Sequence, residues 1–551
     1  MFVDSFTPKL WSTLKFYNGQ IFISDLLAGL TVAIVALPLS MALAVASGVS
    51  PEKGLITAIF AGFFISTLGG SRVQIGGPTG AFVVVILDVV LRHGYDGLIL
   101  ATLCAGLILI IAGYARLGLA IKFLPHSVIT GFTAGIAVII FTTQVKDFLG
   151  LQFQEARLSI FSSWVAYIRH LGSLNTETVG IGLGSLFFIL LLQRLAPKWP
   201  GYLTILILSS FLVQFFGIPV ETIGDRFPNV SSALPFPTLP VFSLEKVHTI
   251  LPSALIIAFL AGVESLLSAM VADGMTGYRH RPNQELIGQG FANIVSACMG
   301  GLPATGALAR TATNIKAGGK TPMAGVAHAF FLLCFMLFAL DTIKYVPLAT
   351  LAAILFVVAW GMSEIHHFVH LLRVSREDRL IIIVTFLLTV FVDLTVGISV
   401  GVGLSSLLFI QQMSQSLIIS KGGGQLESEE IPIQRSELPK DVEVLTISGP
   451  IFYGVVSDFI DTIRNLSQTP KVLILNMNQV PYMDTTGLRA LKNLVLMGEN
   501  YKSAVIFCGL QMQPMELLRQ DLKIGKKVKL TFVGTFSEAL DLAKEMVRES
   551  T

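Results

Sequence analysis

The chain has 551 residues, of which 53% are hydrophobic and 13% charged, with a mean hydropathy of +0.74. That composition excludes an ordinary soluble globular protein and defines an integral membrane protein. A net charge of +3, with basic residues scattered between apolar runs, gives no polynucleotide-binding surface, so no nucleic acid partner is expected. The four cysteines, Cys104, Cys298, Cys334 and Cys508, lack CxxC spacing and read as small hydrophobes, not as a disulfide framework or a metal site. Residues 1–20 form an N-terminal segment with acidic and aromatic residues and no small-residue cleavage site, so the first apolar run is expected to stay in the mature protein.

Apolar segments then fill residues 21–412, the expected transporter region. Most are long enough for the roughly 20 helical residues that a hydrocarbon core of about 30 Å demands. About fourteen spans are predicted. Their centres lie near Val35, Phe60, Val84, Ala105, Ala137, Leu186, Ile207, Leu260, Ile294, Ala309, Phe335, Leu355, Thr385 and Leu404. The third and tenth are unusual, because "GGPTGAFVVV" and "GLPATGALAR" put Gly and Pro, which break helices, at membrane depth. Connections carrying Arg72, Arg116, Lys122, Arg194, Lys198, Arg279, Arg281, Lys316, Lys320, Arg373, Arg376 and Arg379 fall on one side. The positive-inside rule makes that side cytoplasmic, and an even number of spans puts both termini there.

Beyond the last span, residues 413–438, with "KGGGQLESEE", read as a polar linker. Residues 439–551 then alternate strand-like and helix-like segments. "VEVLTIS", "KVLILNMN", "SAVIFCGL" and "KLTFVG" predict strands, and "VSDFIDTIRNL", "TGLRALKNLVLMGEN" and "SEALDLAKEMVRES" predict amphipathic helices. This is the pattern of a soluble α/β domain.

The membrane region repeats itself. "ALAVASG", ending at Gly48, matches "LSAMVADG", ending at Gly274, at an offset of 226 residues. The same offset lays Thr79 on Thr305 and Gly80 on Gly306, while "KFLPHSVI" matches "KYVPLATL", Pro125 on Pro347. Repeat one covers about 21–217 and repeat two about 249–412. A unit of about seven spans is odd, so the second copy is inverted in the membrane. Two matched interrupted helices then aim their N-termini at one point, where unpaired N–H groups and the helix dipole favour an anion. Chance recurrence of Gly and Ala in packed helices is the plainer alternative.

Glu264, in "AFLAGVESLLSAMVADG", lies in an apolar run near the middle of the eighth span, with Ser268 one turn on along the same face. An ionised carboxylate there is costly, which suits a group that takes up and releases a proton; a hydrogen-bonded packing role is the alternative. Arg310 follows the second break and can stand beside a bound anion, pair with Glu264, or extend to water. Asp88, Asp273, Glu364 and Asp393 lie nearer span ends, and His126, His328, His366, His367 and His370 form no ligand set. No nucleophile elbow, Walker loop, zinc signature or cofactor motif is present, so no enzyme reading has a constellation behind it.

With these residues in view, the chain resembles the sulfate permease (SulP) family of anion transporters, bacterial relatives of the solute carriers that include prestin. The carrying motifs are "GLTVAIVALPLSMALAVASGVSPEKGL", "GGSRVQIGGPTGAF", "AGVESLLSAMVADGMTG", "ELIGQGFANIVSACMGGLPATGALARTATNIKAGG" and the STAS-like "VPYMDTTGLRAL". The resemblance implies a multi-span α-helical fold of two inverted repeats, sorted into core and gate domains, with a cytoplasmic α/β STAS domain. It also implies a homodimer with an elevator-like movement, held in lipid in a bacterial plasma membrane. By family pattern the small anion sits between Thr79, Gly80, Ala81 and Phe82 on one side and Ala307, Leu308, Ala309 and Arg310 on the other. Glu264, with Ser268, matches the coupling position. Glu there is the pattern of proton coupling, and Asp that of some sodium-coupled members. Ala307 and Ala309 stand where animal members have serines, which weakens any transfer of a halide preference.

The implied substrates are sulfate, bicarbonate, or a dicarboxylate such as fumarate or succinate. The resemblance favours proton symport. An uncoupled exchanger or channel-like protein, and a nucleobase permease of the same fold, are the alternatives. In the STAS region Asp484 and Thr485 open a helix; Thr485 matches a phosphorylated serine of sigma-regulatory relatives, a simple helix cap being the other reading, and a cytoplasmic protein partner is implied.

Overall fold

The structure is a computed structural model that describes residues 6–119, 125–153, 160–197, 199–228, 234–238, 244–392, 394–415, 417–421, 438–439, 441–456, 460, 470–500, 503–521 and 530–549. Lys122, Lys198, Asp393, most of the expected linker and most of the expected helix "VSDFIDTIRNL" lie outside the described residues. The chain divides into two compact units, Met1–Val402 and Gly403–Thr551.

In the first unit the chain order opens with α1 (Lys9–Leu14), α2 (Gly19–Ala46), α3 (Pro51–Leu68) and α4 (Ala81–Tyr114). There follow α5 (His126–Leu149), α6 (Ile160–Arg169), α7 (Thr176–Leu195), α8 (Gly201–Phe216) and α9 (Ile223–Arg226). Next come α10 (Leu244–Thr276), α11 (Pro282–Cys298), α12 (Leu308–Lys316), α13 (Met323–Ile343) and α14 (Leu348–Met362). The unit closes on α15 (Ile365–Val374), α16 (Arg376–Phe391) and α17 (Leu394–Ser414), which runs on into the second unit.

Among the described residues, seven helices are long and apolar enough to cross a membrane, and Gly201–Phe216 and Met323–Phe338 are shorter apolar stretches. All the predicted span centres fall inside helices, but not one to a helix. Val84 and Ala105 share α4, which is broken where Gly94 turns to φ 71°. A Cβ at Gly94 would meet nothing within 4 Å, so its backbone conformation, not crowding, explains the glycine. The helix at Ala309 has 9 residues, too few to span alone.

Small residues bring the helices together. A Cβ at Gly106 of α4 would stand 2.7 Å from the Gly290 carbonyl of α11, and one at Gly290 would stand 2.5 Å from the Gly106 carbonyl. The two backbones therefore touch, as close-packed membrane helices do. Contacts sort the unit into two groups. One joins α2, α3, α4, α10, α11, α12 and α13, and the other α5, α7, α8, α14, α15 and α16. The repeat is visible within the second group: Pro125 precedes α5 with φ −67° and ψ 141°, and Pro347 precedes α14 with φ −68° and ψ 137°. At one edge of the second group Arg226 makes a bidentate pair with Asp147 at 3.0 and 2.9 Å and also bonds Glu221. These bonds fix the segment after α8 against the end of α5.

The second unit holds a five-stranded sheet ordered β3 (Ile418–Lys421), β4 (Val442–Ser448), β5 (Val472–Gln479), β6 (Ala504–Cys508) and β7 (Leu530–Val533). The first pair is antiparallel and the rest parallel. β4 to β7 are the four strands predicted from their apolar runs. β3 arises inside the interval read as linker, because Ile418 and Ile419 are β-branched and the segment finds an open edge at β4. Helices α18 (Thr485–Asn500) and α20 (Phe536–Glu549) match the predicted amphipathic runs, and α19 (Met512–Asp521) is additional. Apolar clusters lie on both sheet faces, one around Leu445, Leu475 and Leu491 and one around Ile474, Ile506 and Ala543.

Candidate functional site

The two Gly/Pro breaks meet. Gly76–Gly77 (β1) and Thr305–Gly306 (β2) form a two-residue antiparallel ladder, Gly76 opposite Gly306 and Gly77 opposite Thr305. Antiparallel pairing is what two inverted copies of one segment would give. Glycine is required here on two grounds. Gly77 has φ 152°, and a Cβ on it would collide with Arg310 Nη1; a Cβ on Gly306 would collide with the Gln74 side chain. Non-helical backbone at this depth needs partners, and it has them. The Ala307 N–H donates to Ile75 O at 2.8 Å and the Ile75 N–H to Thr311 Oγ1 at 3.1 Å.

Immediately after the ladder each strand turns into a helix. α4 begins behind Gly80 and α12 behind Ala307, and neither N-cap residue supplies a side-chain hydrogen bond. In the first turn of α4 the Phe82 N–H donates to Thr79 O at 3.2 Å and the Val83 N–H to Gly80 O at 3.1 Å. Both breaks are also tied to α10. Thr79 Oγ1 donates to Glu264 Oε2 at 2.8 Å, and its repeat mate Thr305 donates to the Ala261 carbonyl at 2.8 Å, about one turn away.

Arg310 is 2% exposed. Its Nη2 donates to the Pro78 carbonyl at 3.1 Å and to Ser40 Oγ at 3.2 Å, while Nε and Nη1 have no acceptor among the described residues. Of the three readings open in the sequence, extension to water does not describe this buried geometry, and Arg310 makes no direct ion pair with Glu264 among the described residues, although the two interact electrostatically. The guanidinium braces the first break and keeps two donors open.

A partly open cavity of about 60 Å³ lies against Glu264 and Ala81. Phe259, Leu260, Val263 and Leu267 of α10 line it from one helix group, Val128, Ile129, Phe132, Thr133 and Met362 from the other, with Ile398 of α17. It therefore lies at the seam between the groups.

The structure thus brings Thr79, Gly80, Ala81 and Glu264 to one place, with Met362 packed against Gly80 and Arg310 behind the ladder. Phe82 is fully buried in the apolar core, and Ala309 is exposed at the first turn of α12, beside half-buried Leu308 and buried Ala307. Ser268 points elsewhere: its Oγ donates to Thr311 Oγ1 at 3.4 Å, bridging α10 to α12. Among the described residues, no group of three or more His, Cys, Asp or Glu could hold a metal ion. In the second unit Asp484 Oδ1 accepts the Gly487 N–H at 2.7 Å at the start of α18, and Thr485 beside it is exposed.

A polar set that sequence inspection passes over surrounds these breaks: Gln74, Ser265, Glu285, Gln289 and Asn293, all buried. Gln74 Nε2 reaches Ser265 Oγ at 2.7 Å, next to Glu264 in the chain. The amides and the serine are each unremarkable in a membrane helix, and Glu285 reads as an ordinary first-turn acid of α11. The legible signal was their spacing, with Glu285, Gln289 and Asn293 recurring every four residues along α11.

Paired broken helices, a buried arginine and carboxylate, and an α/β module after the last membrane helix define a membrane anion transporter of the kind that ends in a STAS domain. The chain belongs to the sulfate permease family, whose pattern it matches over residues 22–385, and it matches the STAS domain over residues 435–534. The family consists of transporters, not enzymes. The chain is 41% identical over 518 residues to the protein named "Putative sulfate transporter YvdB" of Bacillus subtilis (strain 168), covering 93% of this chain and 97% of that one. It is 30% identical over 538 residues to the bicarbonate transporter BicA of Picosynechococcus sp. (strain ATCC 27264 / PCC 7002 / PR-6), covering 92% and 91%. In fold it matches murine Solute Carrier 26 family member A9, an anion transporter solved in the inward-facing state. That match has a TM-score of 0.88 at 19% identity, over 99% of this chain and 95% of that one.

Proposed function

We propose that the protein is a secondary transporter that carries a small oxyanion or dicarboxylate together with a proton. Sulfate and bicarbonate, the substrates in the names of its relatives, are the first candidates, and fumarate and succinate the next. The observation that carries the proposal is the Thr79–Glu264 hydrogen bond at the start of α4, beside a cavity and a second uncapped helix start. The anion is held between Thr79, Gly80, Ala81 and Phe82 and Ala307, Leu308, Ala309 and Arg310.

The coupling follows from the hydrogen-bond inventory. An ionised Glu264 can only accept, so Thr79 must spend its hydroxyl proton on the carboxylate. A protonated Glu264 can donate to Thr79 Oγ1, which frees the Thr79 proton to point at an anion. Proton and anion then bind together, and the carboxylate charge is neutralised before the site moves. Ser268 supports this by tying Glu264's helix to α12 through Thr311.

The helix group bearing both breaks is the moving core and the other the gate, and their relative sliding gives an elevator-like cycle, with the protein working as a homodimer. Both termini face the cytoplasm of a bacterial cell whose plasma membrane holds it, and the STAS unit receives a protein partner there. Thr485 is placed for phosphorylation on that unit, although Asp484 already caps the helix.

Uptake of labelled sulfate, bicarbonate, fumarate and succinate into proteoliposomes under an imposed inward proton gradient tests the proposal. Concentrative uptake of one of them, collapsing when a protonophore removes the gradient, is expected. A second reading, uncoupled anion exchange, rests on the same hydrogen bond taken as a static packing contact. It predicts counterflow that ignores the gradient. Gradient-dependent uptake that instead follows sodium would assign Glu264 and Ser268 to a sodium site.

A further inference from the structure

Along α11, Glu285, Gln289, Asn293 and Ser296 recur at intervals of four, four and three residues, which aligns them on one helix face. All four are 0% exposed. A buried polar stripe in a membrane helix is costly unless its groups are used: Glu285, Asn293 and Ser296 bond backbone flanking the two breaks, while Gln289 donates to Glu285 and Ser265 and its Oε1 has no donor among the described residues. Glu285 Oε2 accepts the N–H groups of Gly70 and Ser71 at 2.7 and 3.0 Å, in the segment leading to β1. Its Oε1 accepts from Ser265 Oγ and Gln289 Nε2, both at 3.0 Å, so four donors surround one carboxylate. Asn293 reads the backbone of Ala304, next to β2, like a strand partner: Nδ2 donates to Ala304 O at 2.9 Å and Oδ1 accepts Ala304 N–H at 2.9 Å. Ser296 Oγ closes the stripe on Leu302 O at 2.6 Å.

We propose that this stripe positions the anion site, Glu285 setting the approach to the first helix start and Asn293 the approach to the second. The inference rests on the anion-transport reading for its kinetic test, but not for its structural one. Because one rigid helix holds both segments, the two helix N-termini keep a fixed separation however the core moves. Gln74 and Gln289 carry the same frame to Ser265, the residue beside Glu264, by donating to its Oγ. The stripe's hydrogen bonds reach Gly70, Ser71, Ser265, Leu302 and Ala304, none of which lines the cavity, so it acts through others.

Two substitutions of nearly unchanged volume test it. Glu285→Gln turns an NH₂ donor toward donors, whichever way the amide is placed, and Asn293→Asp puts a carboxylate oxygen against the Ala304 carbonyl. For whichever of sulfate or bicarbonate the parent takes up, each variant is expected to raise KM by roughly tenfold, with Vmax within about twofold of the parent. The pH dependence of uptake is retained, unlike in Glu264→Gln, and Glu285→Asp recovers part of the loss. A folded Glu285→Gln protein with parental KM would overturn the proposal, as would loss of Vmax and pH dependence together. Amide hydrogen exchange on the parent decides the matter if neither variant folds or neither anion is moved. Slow exchange at Gly70, Ser71 and Ala304, comparable with α11 itself, is expected; exchange as fast as an exposed loop would overturn it. Absence of uptake by the parent together with slow exchange would sink the transport reading and leave the positioning intact.

Discussion

At the residue scale, one hydrogen bond of 2.8 Å between Thr79 and Glu264 determines what the cavity is offered. Thr79→Val keeps the shape and removes the hydroxyl, leaving the carboxylate without that donor. Uptake is expected to fall at least about tenfold at low substrate concentration, and Thr79→Ser to keep most of it. Loss of uptake in the Ser variant with uptake retained in the Val variant would mean that the methyl group, not the hydroxyl, matters. Glu264 and Thr79 were readable from sequence, since a carboxylate in an apolar run and a threonine beside a Gly/Pro break are each conspicuous. The partner of Ser268 was not, because helical spacing gives the face of a side chain but not what a second element presents to it. That element is α12, through Thr311.

At the element scale, the breaks depend on glycine more strictly than the kink in α4 does. Gly77→Ala must overcome both a φ of 152° and a collision with Arg310, and Gly306→Ala a collision with Gln74. Each is expected to destabilise the detergent-solubilised protein by about 1–3 kcal/mol, read as a lower Tm, and to abolish uptake. Gly94→Ala meets no atom within 4 Å and should cost about 1 kcal/mol with uptake retained. A Gly77→Ala protein with normal uptake would show that the ladder tolerates displacement. The existence of both broken elements was legible in the residue offset, because the same punctuation recurs after the same interval. Their antiparallel pairing and the α11 stripe were not, since a two-residue strand has no periodicity and buried amides look like ordinary polar helix residues. β3 escaped for a related reason, as four residues in a polar neighbourhood become a strand only through β4.

At the scale of the whole molecule, the proposed cycle makes the cavity at the seam between two helix groups the feature on which transport depends. Leu267 of α10 and Ile129 of α5 both line it from opposite groups. A cysteine pair at these positions, in a background lacking Cys104, Cys298, Cys334 and Cys508, bridged across the cavity by a reducible bifunctional thiol reagent, is expected to stop uptake until reductant is added. Uninterrupted uptake by the cross-linked protein would contradict sliding of one group past the other. The repeat made this organisation partly legible, and Pro125 and Pro347 hold matching conformations ahead of α5 and α14. The sorting into two groups was not legible from the residues, because both groups are equally apolar and only contacts separate them.

The central claim is that Glu264 couples an anion to a proton. It is tested most directly by comparing the parent with Glu264→Gln in proteoliposomes, measuring uptake of the transported anion with and without an inward proton gradient. The parent is expected to accumulate the anion only with the gradient, while Glu264→Gln exchanges anion for anion but does not concentrate it. Gradient-driven accumulation by Glu264→Gln equal to the parent would contradict the claim.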